Sequence, residues 1–290
     1  SSKGYFDSKV LETIETANRK SKVFYNVDLK APYTIRNIYY DFADSNILKF
    51  FVFDSVNCLI ERGKPYDVDV LQKEKNRFER YIRDKGFYAF SGTDISFGVD
   101  STIGQRQVNI YYTVKSFTIN TPEKGEIQVP HSLYDIRNVY IQPNFIPRDA
   151  LEGGEEYRRS LDTTLYEGYY FITPKSVSPI KFDLILQAVY LKPGSLYSLT
   201  NTEQTQSHLL ALKTFRLVNI YYSNVPGDST KLLDCNIQLT LLSQQSFKIE
   251  LEGTNSAGNL GGALNLIYQH INLFHRAELL NLKLKGAYEA

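Results

Sequence analysis

The chain has 290 residues, with 33 Lys plus Arg against 32 Asp plus Glu and a formal net charge of +1. That balance argues against a dedicated nucleic-acid binder, which carries a basic excess, and 42% hydrophobic with 22% charged residues fits a folded chain of two or three domains. No apolar run approaches the roughly 20 residues of a membrane helix, and two cysteines, Cys58 and Cys235, make neither a disulfide framework nor a metal cluster and are expected as free buried thiols.

The chain opens without an initiating Met or a secretory signal and reads as a piece of a larger protein. The 22 Tyr and 17 Phe lean toward strands. Strands are expected at 9–17, 22–29 and 34–42. A short helix is expected near 54–62 and a longer one at 68–85, where Leu71, Phe78 and Ile82 share a helical face. Asp67 can cap that helix, and Gly86 can end it in a left-handed conformation. Strands at 93–99 and 106–115 complete a β-α-α-β-β unit.

Self-similarity orders the rest. Residues 33–40 read YTIRNIYY and residues 134–141 read YDIRNVYI, five of eight positions identical and alternating as in a strand. Gly63-Lys64-Pro65-Tyr66-Asp67 matches Gly194-Ser195-Leu196-Tyr197-Ser198, each before a helix that Asp67 or Ser198 can cap. The spacing is 101 residues from Tyr33 to Tyr134 but 131 from Gly63 to Gly194, so the later copy carries thirty extra residues, assigned to the Pro-punctuated stretch 143–180. That copy is expected to have a strand at 135–142, helices at 181–191 and about 200–214, and strands at 216–223 and 231–242 around a Pro226-Gly227-Asp228 turn. The likeness of QVNIYY (107–112) to LVNIYY (217–222) fits neither spacing and is read as coincidence between different strands of the unit. Gly4-Tyr5-Phe6 matches Gly86-Phe87-Tyr88, so residues 1–31 look like the tail of an earlier copy.

Residues 246–290 lack a helical period. Extended stretches are expected at 246–252, 261–271 and 278–288, where Leu280, Leu282 and Leu284 alternate with Asn281, Lys283 and Lys285. Such a dyad suits a membrane barrel, whose strands need roughly 9–11 residues; it equally suits an ordinary soluble hairpin.

The repeat, with G-x-[PL]-Y-[DS] before its second helix and G-[FY]-[YF] near its helix end, resembles the POTRA domain. The tail, with Gly253-Thr254, Gly258, Gly261-Gly262, Asn272-Leu273-Phe274 and Ala277-Glu278-Leu279, resembles the opening strands of the BamA/TamA superfamily barrel. The long last unit, with Lys213-Thr214-Phe215-Arg216-Leu217-Val218-Asn219-Ile220, is most similar to the TamA-like proteins of Bacteroidetes. It departs from the POTRA pattern in having Lys213-Thr214-Phe215 where a Gly is usual. The expected fold class is therefore α+β: tandem POTRA units (β-α-α-β-β, a mixed three-stranded sheet with two helices) followed by an all-β antiparallel tail. Residues 1–31 are assigned to the C-terminal part of a first unit, 32–119 to a second, 120–245 to a third with its insertion at about 143–180, and 246–290 to the opening strands of a truncated β-barrel.

The resemblance implies a non-enzymatic factor, without a cofactor, that assembles or translocates outer-membrane proteins, set in the bacterial outer membrane with this region in the periplasm. Its implied partners are unfolded outer-membrane protein clients, accessory periplasmic or lipoprotein subunits, and the outer membrane through the rest of the barrel, with no nucleic acid. It also places the second strand of each unit at a sheet edge, where a client segment can add as a further strand. The candidate edges are Thr93, Ile95, Phe97 and Val99, and Arg216, Val218, Ile220 and Tyr222, with proline at Ile95 expected to be tolerated in an edge strand. Gly253, Thr254, Gly258, Asn272, Phe274 and Glu278 mark the barrel onset. The alternative is a soluble periplasmic scaffold with no barrel; a Tyr-rich carbohydrate-binding module is weaker, because most rings fall at strand positions expected to face a core. Enzymatic readings find no support: His131, His208, His270 and His275 sit in four contexts and are read as polar surface residues, and Asp67, Glu74 and Glu79, beside Lys73, Lys75, Arg77 and Arg80, as surface charges.

Overall fold

Alternation of Val10, Glu12 and Ile14 with Val23, Tyr25 and Val27 across the register folds the first residues into an antiparallel hairpin, β1 (Lys9–Ala17) and β2 (Lys20–Asp28). The computed structural model describes residues 2–17, 20–121, 125–175, 180–225, 231–256 and 259–289. Its contacts group the chain into two bodies, Ser1–Leu133 and Tyr134–Ala290.

The first body continues with β3 (Thr34–Phe42), α1 (Ser45–Asp54), α2 (Val68–Asp84), β4 (Ile95–Asp100) and β5 (Gln107–Val114). These form a mixed sheet of order β3-β5-β4, with β5 parallel to β3 and antiparallel to β4. Central β5 buries Val108, Ile110, Tyr112 and Val114 against Phe78 and Ile82 of α2 and Ile47 and Phe51 of α1. Each such side chain is worth about 1.5–3 kcal/mol of removed apolar surface, which makes this cluster the main source of cohesion.

Helix α1 lies about nine residues earlier than the 54–62 expected. The Asp44 carboxylate accepts the Asn46 and Ile47 N–H groups and so fixes the start at Ser45, while the helix leaves the α region after a 3₁₀ turn at Ser55–Asn57, Cys58 being extended. The run ILKFFVF is apolar on nearly every position and carries no phase that could locate the helix. Helix α2 begins and ends close to expectation, with Asp67 accepting from Asp69 N–H and Gly86 at φ +102°. A further hairpin, β6 (Phe117–Thr121) with β7 (Gly125–Val129), was not foreshadowed.

The second body holds β8 (Asp135–Gln142), α3 (Pro147–Glu152), α4 (Gly154–Ser160), β9 (Leu161–Tyr166), β10 (Tyr169–Pro174), α5 (Phe182–Leu186), α6 (Leu199–Ala211), β11 (Phe215–Asn224) and β12 (Leu232–Leu241). Its sheet runs β11-β12-β8-β10-β9. The extra residues of this copy thus supply a hairpin whose strand β10 joins β8 in parallel, through Tyr170 opposite Tyr140 and Phe171 opposite Ile141. Helix α5 is shorter than the 181–191 expected: the chain tightens through Ala188 N–H to Ile185 and Val189 N–H to Leu186 before Pro193, which cannot continue a helix.

The two copies coincide bond for bond. Gly63 N–H donates to Ile35 O and Ile35 N–H to Lys64 O; Gly194 N–H donates to Ile136 O and Ile136 N–H to Ser195 O. Gly63 and Gly194 stand at φ +79° and +76°, and the sheet slips register at Arg36 in one copy and Arg137 in the other. QVNIYY lies in central β5 and LVNIYY in edge strand β11, so that likeness joins non-equivalent strands.

Last come β13 (Gln245–Ser256), β14 (Asn259–Ile271) and β15 (Leu279–Glu289), an antiparallel three-stranded sheet. The turn at Pro226-Gly227-Asp228 and Gly258 lie outside the described residues.

Candidate functional site

Strand β4 is held on one side by β5, from Ile95 opposite Val114 to Asp100 opposite Asn109, and no strand lies on its other side among the described residues. Lys115 N–H donates to Asp94 O, so the main-chain groups of Ser96, Gly98 and Asp100 face β5 and those of Ile95, Phe97 and Val99 face outward. Two sequence expectations change here. Thr93 is outside the strand, in a 3₁₀ turn at Gly92–Asp94 that Ser91 closes with a capping box. Ile95 N–H already donates to Gly92 O within that turn, and its side chain is 1% exposed. Proline at Ile95 would therefore break the turn and the core; Val99, at 38% exposure, is the position where an outward N–H can be removed.

Strand β11 lies at the edge of the second sheet, and Val218, Ile220 and Tyr222 point to one face, Val218 fully and the others partly buried. Arg216 is displaced from the ladder by a bulge between Phe215 and Leu217, so it offers no regular pairing position. Val225 N–H donates to Leu232 O, so alternation turns the main chain of Val218, Ile220 and Tyr222 outward. Of these, the Val218 carbonyl already accepts a bond from Gln206 Nε2 of α6 at 3.2 Å. Beyond Gln206 the edge runs from Ile220 to Asn224, and no described strand lies on it. Gln206 carries no sequence signal, because its role depends on how α6 lies over β11.

The tail sheet is two-faced. Phe247, Tyr268 and Leu282 stand in register, as do Ile249, Leu266 and Leu284. Phe247, Ile249 and Leu251 are 76%, 69% and 81% exposed. The other face carries Glu252 bonded to Asn265 (2.8 Å) and Lys285 (3.2 Å). Asn272 and Glu278 build the β14–β15 turn: Asn272 Oδ1 accepts from Ala277 N–H at 3.0 Å, and Glu278 Oε2 accepts from Phe274 and Arg276 N–H, each at 3.2 Å. Phe274 itself projects at 70% exposure. Gly253 pairs with Gly262 and Thr254 with Gly261.

Glu74, read as a surface charge, and His131, read as a polar surface residue, are both internal. Glu74 is fully buried, paired through both oxygens with Arg77 at 2.8 Å and accepting Leu59 N–H; Arg77 also reaches Asp54 at 2.5 Å. Hydrogen bonding to Glu74, against the cost of burial and with help from Asp54, holds the guanidinium above its ordinary pKa. His131 is 1% exposed, with Nδ1 2.7 Å from Asp44 Oδ2, its N–H on the same oxygen at 2.6 Å, and Nε2 3.4 Å from Asp94 Oδ2. Burial pulls this imidazole down, but the Asp94 and Asp44 carboxylates outweigh it and its pKa is raised. Both clusters tie elements together: Glu74 and Arg77 hold α2 to Leu59 and Asp54, and His131 is held to Asp44 at the start of α1. Among the described residues no helix is long and apolar enough to cross a membrane, which says nothing of strands.

No protein-family model matches the chain, and no curated protein matches it in sequence. Solved structures do. BamA from Haemophilus ducreyi lacking POTRA domains 1–3 aligns with a TM-score of 0.52 at 11% identity, over 89% of this chain and 37% of that one. The likeness is one of fold, mixed α+β and POTRA-like. Haemophilus influenzae BamA POTRA3–5 (TM-score 0.43, 10% identity, 82% of this chain and 74% of that one) and CdiB from Acinetobacter baumannii (0.38, 13%, 89% and 39%) align more loosely. The chain spans little more than a third of the H. ducreyi BamA it matches.

Proposed function

We propose that this chain is the periplasmic region, with the first barrel strands, of an outer-membrane protein assembly or translocation factor, and that it holds extended client or partner segments by adding them as strands to β4 and β11. The observation that carries the reading is the row of outward main-chain groups at Phe97 and Val99, on an edge that no described strand covers. Main-chain bonding tolerates sequence variety, while alternate side chains give a weak preference; that suits clients sharing strand patterning but no common sequence. Residues 1–31 then close an earlier POTRA unit, 32–119 and 120–245 form the next two, and the remaining residues open a barrel.

The scaffold alternative requires the tail to bury its apolar face. Phe247, Ile249 and Leu251 lie uncovered instead, and β13, β14 and β15, at 12, 13 and 11 residues, are long enough for strands that cross a bilayer. The partners are outer-membrane protein clients, accessory periplasmic or lipoprotein subunits, and the outer membrane.

The test is Val99→Pro. Affinity for a peptide from a barrel strand, read by fluorescence anisotropy, is expected to fall by roughly tenfold, the worth of one or two main-chain hydrogen bonds, with the unfolding midpoint unchanged. Full affinity in a folded variant removes β4 from the mechanism.

A further inference from the structure

The two copies differ at one edge in a way that identifies a second docking site. In the second body the outer edge of β8 is filled by β10, which runs parallel to it, with Phe171 opposite Ile141 and Tyr170 stacked on Tyr140 at 5.1 Å. Phe171 also stacks on Phe182 of α5 at 3.9 Å, and both Phe171 and Ile141 are fully buried. In the first body the corresponding edge is β3. Its beginning is closed as in β8, by the Gly63–Pro65 turn on Ile35. Beyond the bulge at Arg36 no described strand covers it.

The equivalences are set by the repeat: Tyr39 and Tyr40 stand where Tyr140 and Ile141 stand, and Phe51 stands where Phe182 stands. Ala43 N–H donates to Val114 O, so alternation turns the main chain of Tyr40 and Phe42 away from β5. Tyr40 is 45% exposed, against 0% for Ile141, and its ring lies 4.9 Å from Phe51. Tyr40 therefore packs directly on Phe51 but stays half exposed, and no described strand covers it.

We infer that the outer edge of β3, from Ile38 to Phe42, is a docking site for a parallel strand donated by another polypeptide, carrying an aromatic residue that packs beside the half-exposed Tyr40 ring in the place that Phe171 takes beside Ile141. The second body displays the bound state with its own insertion as the occupant. The site goes beyond the β4 and β11 reading, lies on the opposite side of the sheet from β4, and does not depend on either of those edges.

The probe is a synthetic peptide of residues Glu167–Lys175, added to the full chain in detergent, with amide exchange followed by NMR. The expected result is new protection at Tyr40 and Phe42, none at Phe97, Val99 or Ile220, and a loss of affinity of roughly tenfold or more when the peptide carries Phe171→Ser, since the buried ring supplies most of the apolar gain. Absence of binding, protection on β4 or β11 instead, or binding indifferent to Phe171→Ser would overturn the inference. Because the other two edges are read separately in the same spectra, failure here is distinct from failure of the strand-addition reading there.

Discussion

His131 shows how far a single residue can lie from what its sequence neighbours suggest. The apolar residues beside it, Val129 and Leu133, set no period that would bury position 131, and its partners, Asp44 and Asp94, are remote in sequence; only the closing of the first body brings them together. Glu74 escaped for the same reason, since a carboxylate amid Lys73, Lys75 and Arg77 reads as solvated until α1 supplies Asp54 beside it. The His131 site has a pH consequence. The folded imidazole binds its proton more tightly than the unfolded one. Its contribution to stability is therefore complete below the ordinary imidazole pKa of about 6.5 and is lost as pH rises through the raised value. Urea unfolding of the first body is expected to show a midpoint that declines on passing from mildly acid to mildly alkaline solution, and His131→Gln is expected to flatten that slope. An unchanged slope in the variant would assign the pH response to other groups.

Elements with a strong period were legible: α2 shows one stripe of Leu71, Phe78 and Ile82 under a charged face, and the tail strands show a strict dyad. Elements without one were not. Helix α1 is apolar around its circumference, and β9 and β10 lie in a Pro-rich stretch where sequence punctuation conceals a hairpin that extends the sheet. The spacing between copies proved informative even where the motif failed. Helix α6 has 13 residues against 17 in α2, close to one helical turn less, so the buried face keeps its phase. Counted back by that turn, Lys213 falls where Gly86 falls, and it adopts the same left-handed region, at φ +53°. A side chain there costs roughly 1–2 kcal/mol, partly offset by the extra freedom a glycine has when unfolded. Lys213→Gly is expected to stabilise the second body by about 0.5–1 kcal/mol in chemical denaturation; a loss of stability would show that the lysine makes a contact outweighing the strain.

At the scale of the whole chain, the tail decides between a membrane-bound factor and a soluble one. Its exposed face presents Phe247, Ile249, Leu251, Leu282 and Leu284 together, and a patch of that kind on a free sheet either meets lipid or aggregates. A chain ending at Ser243 is expected to stay soluble without detergent and to unfold cooperatively, whereas the full chain should need detergent. Collapse of the β11-β12-β8-β10-β9 sheet on removal of the tail would make the tail part of that sheet's own support.

The central claim is that bare strand edges, and not a reactive pocket, receive other chains. The most direct measurement places a photoreactive amino acid at the exposed Ser96 in cells making the protein, with a second at Arg80 on α2 as reference. Crosslinks to outer-membrane proteins in transit are expected from position 96, and their loss when Val99→Pro is added to the same chain. Equal yields from both positions, or yields at 96 untouched by that proline, would contradict the account.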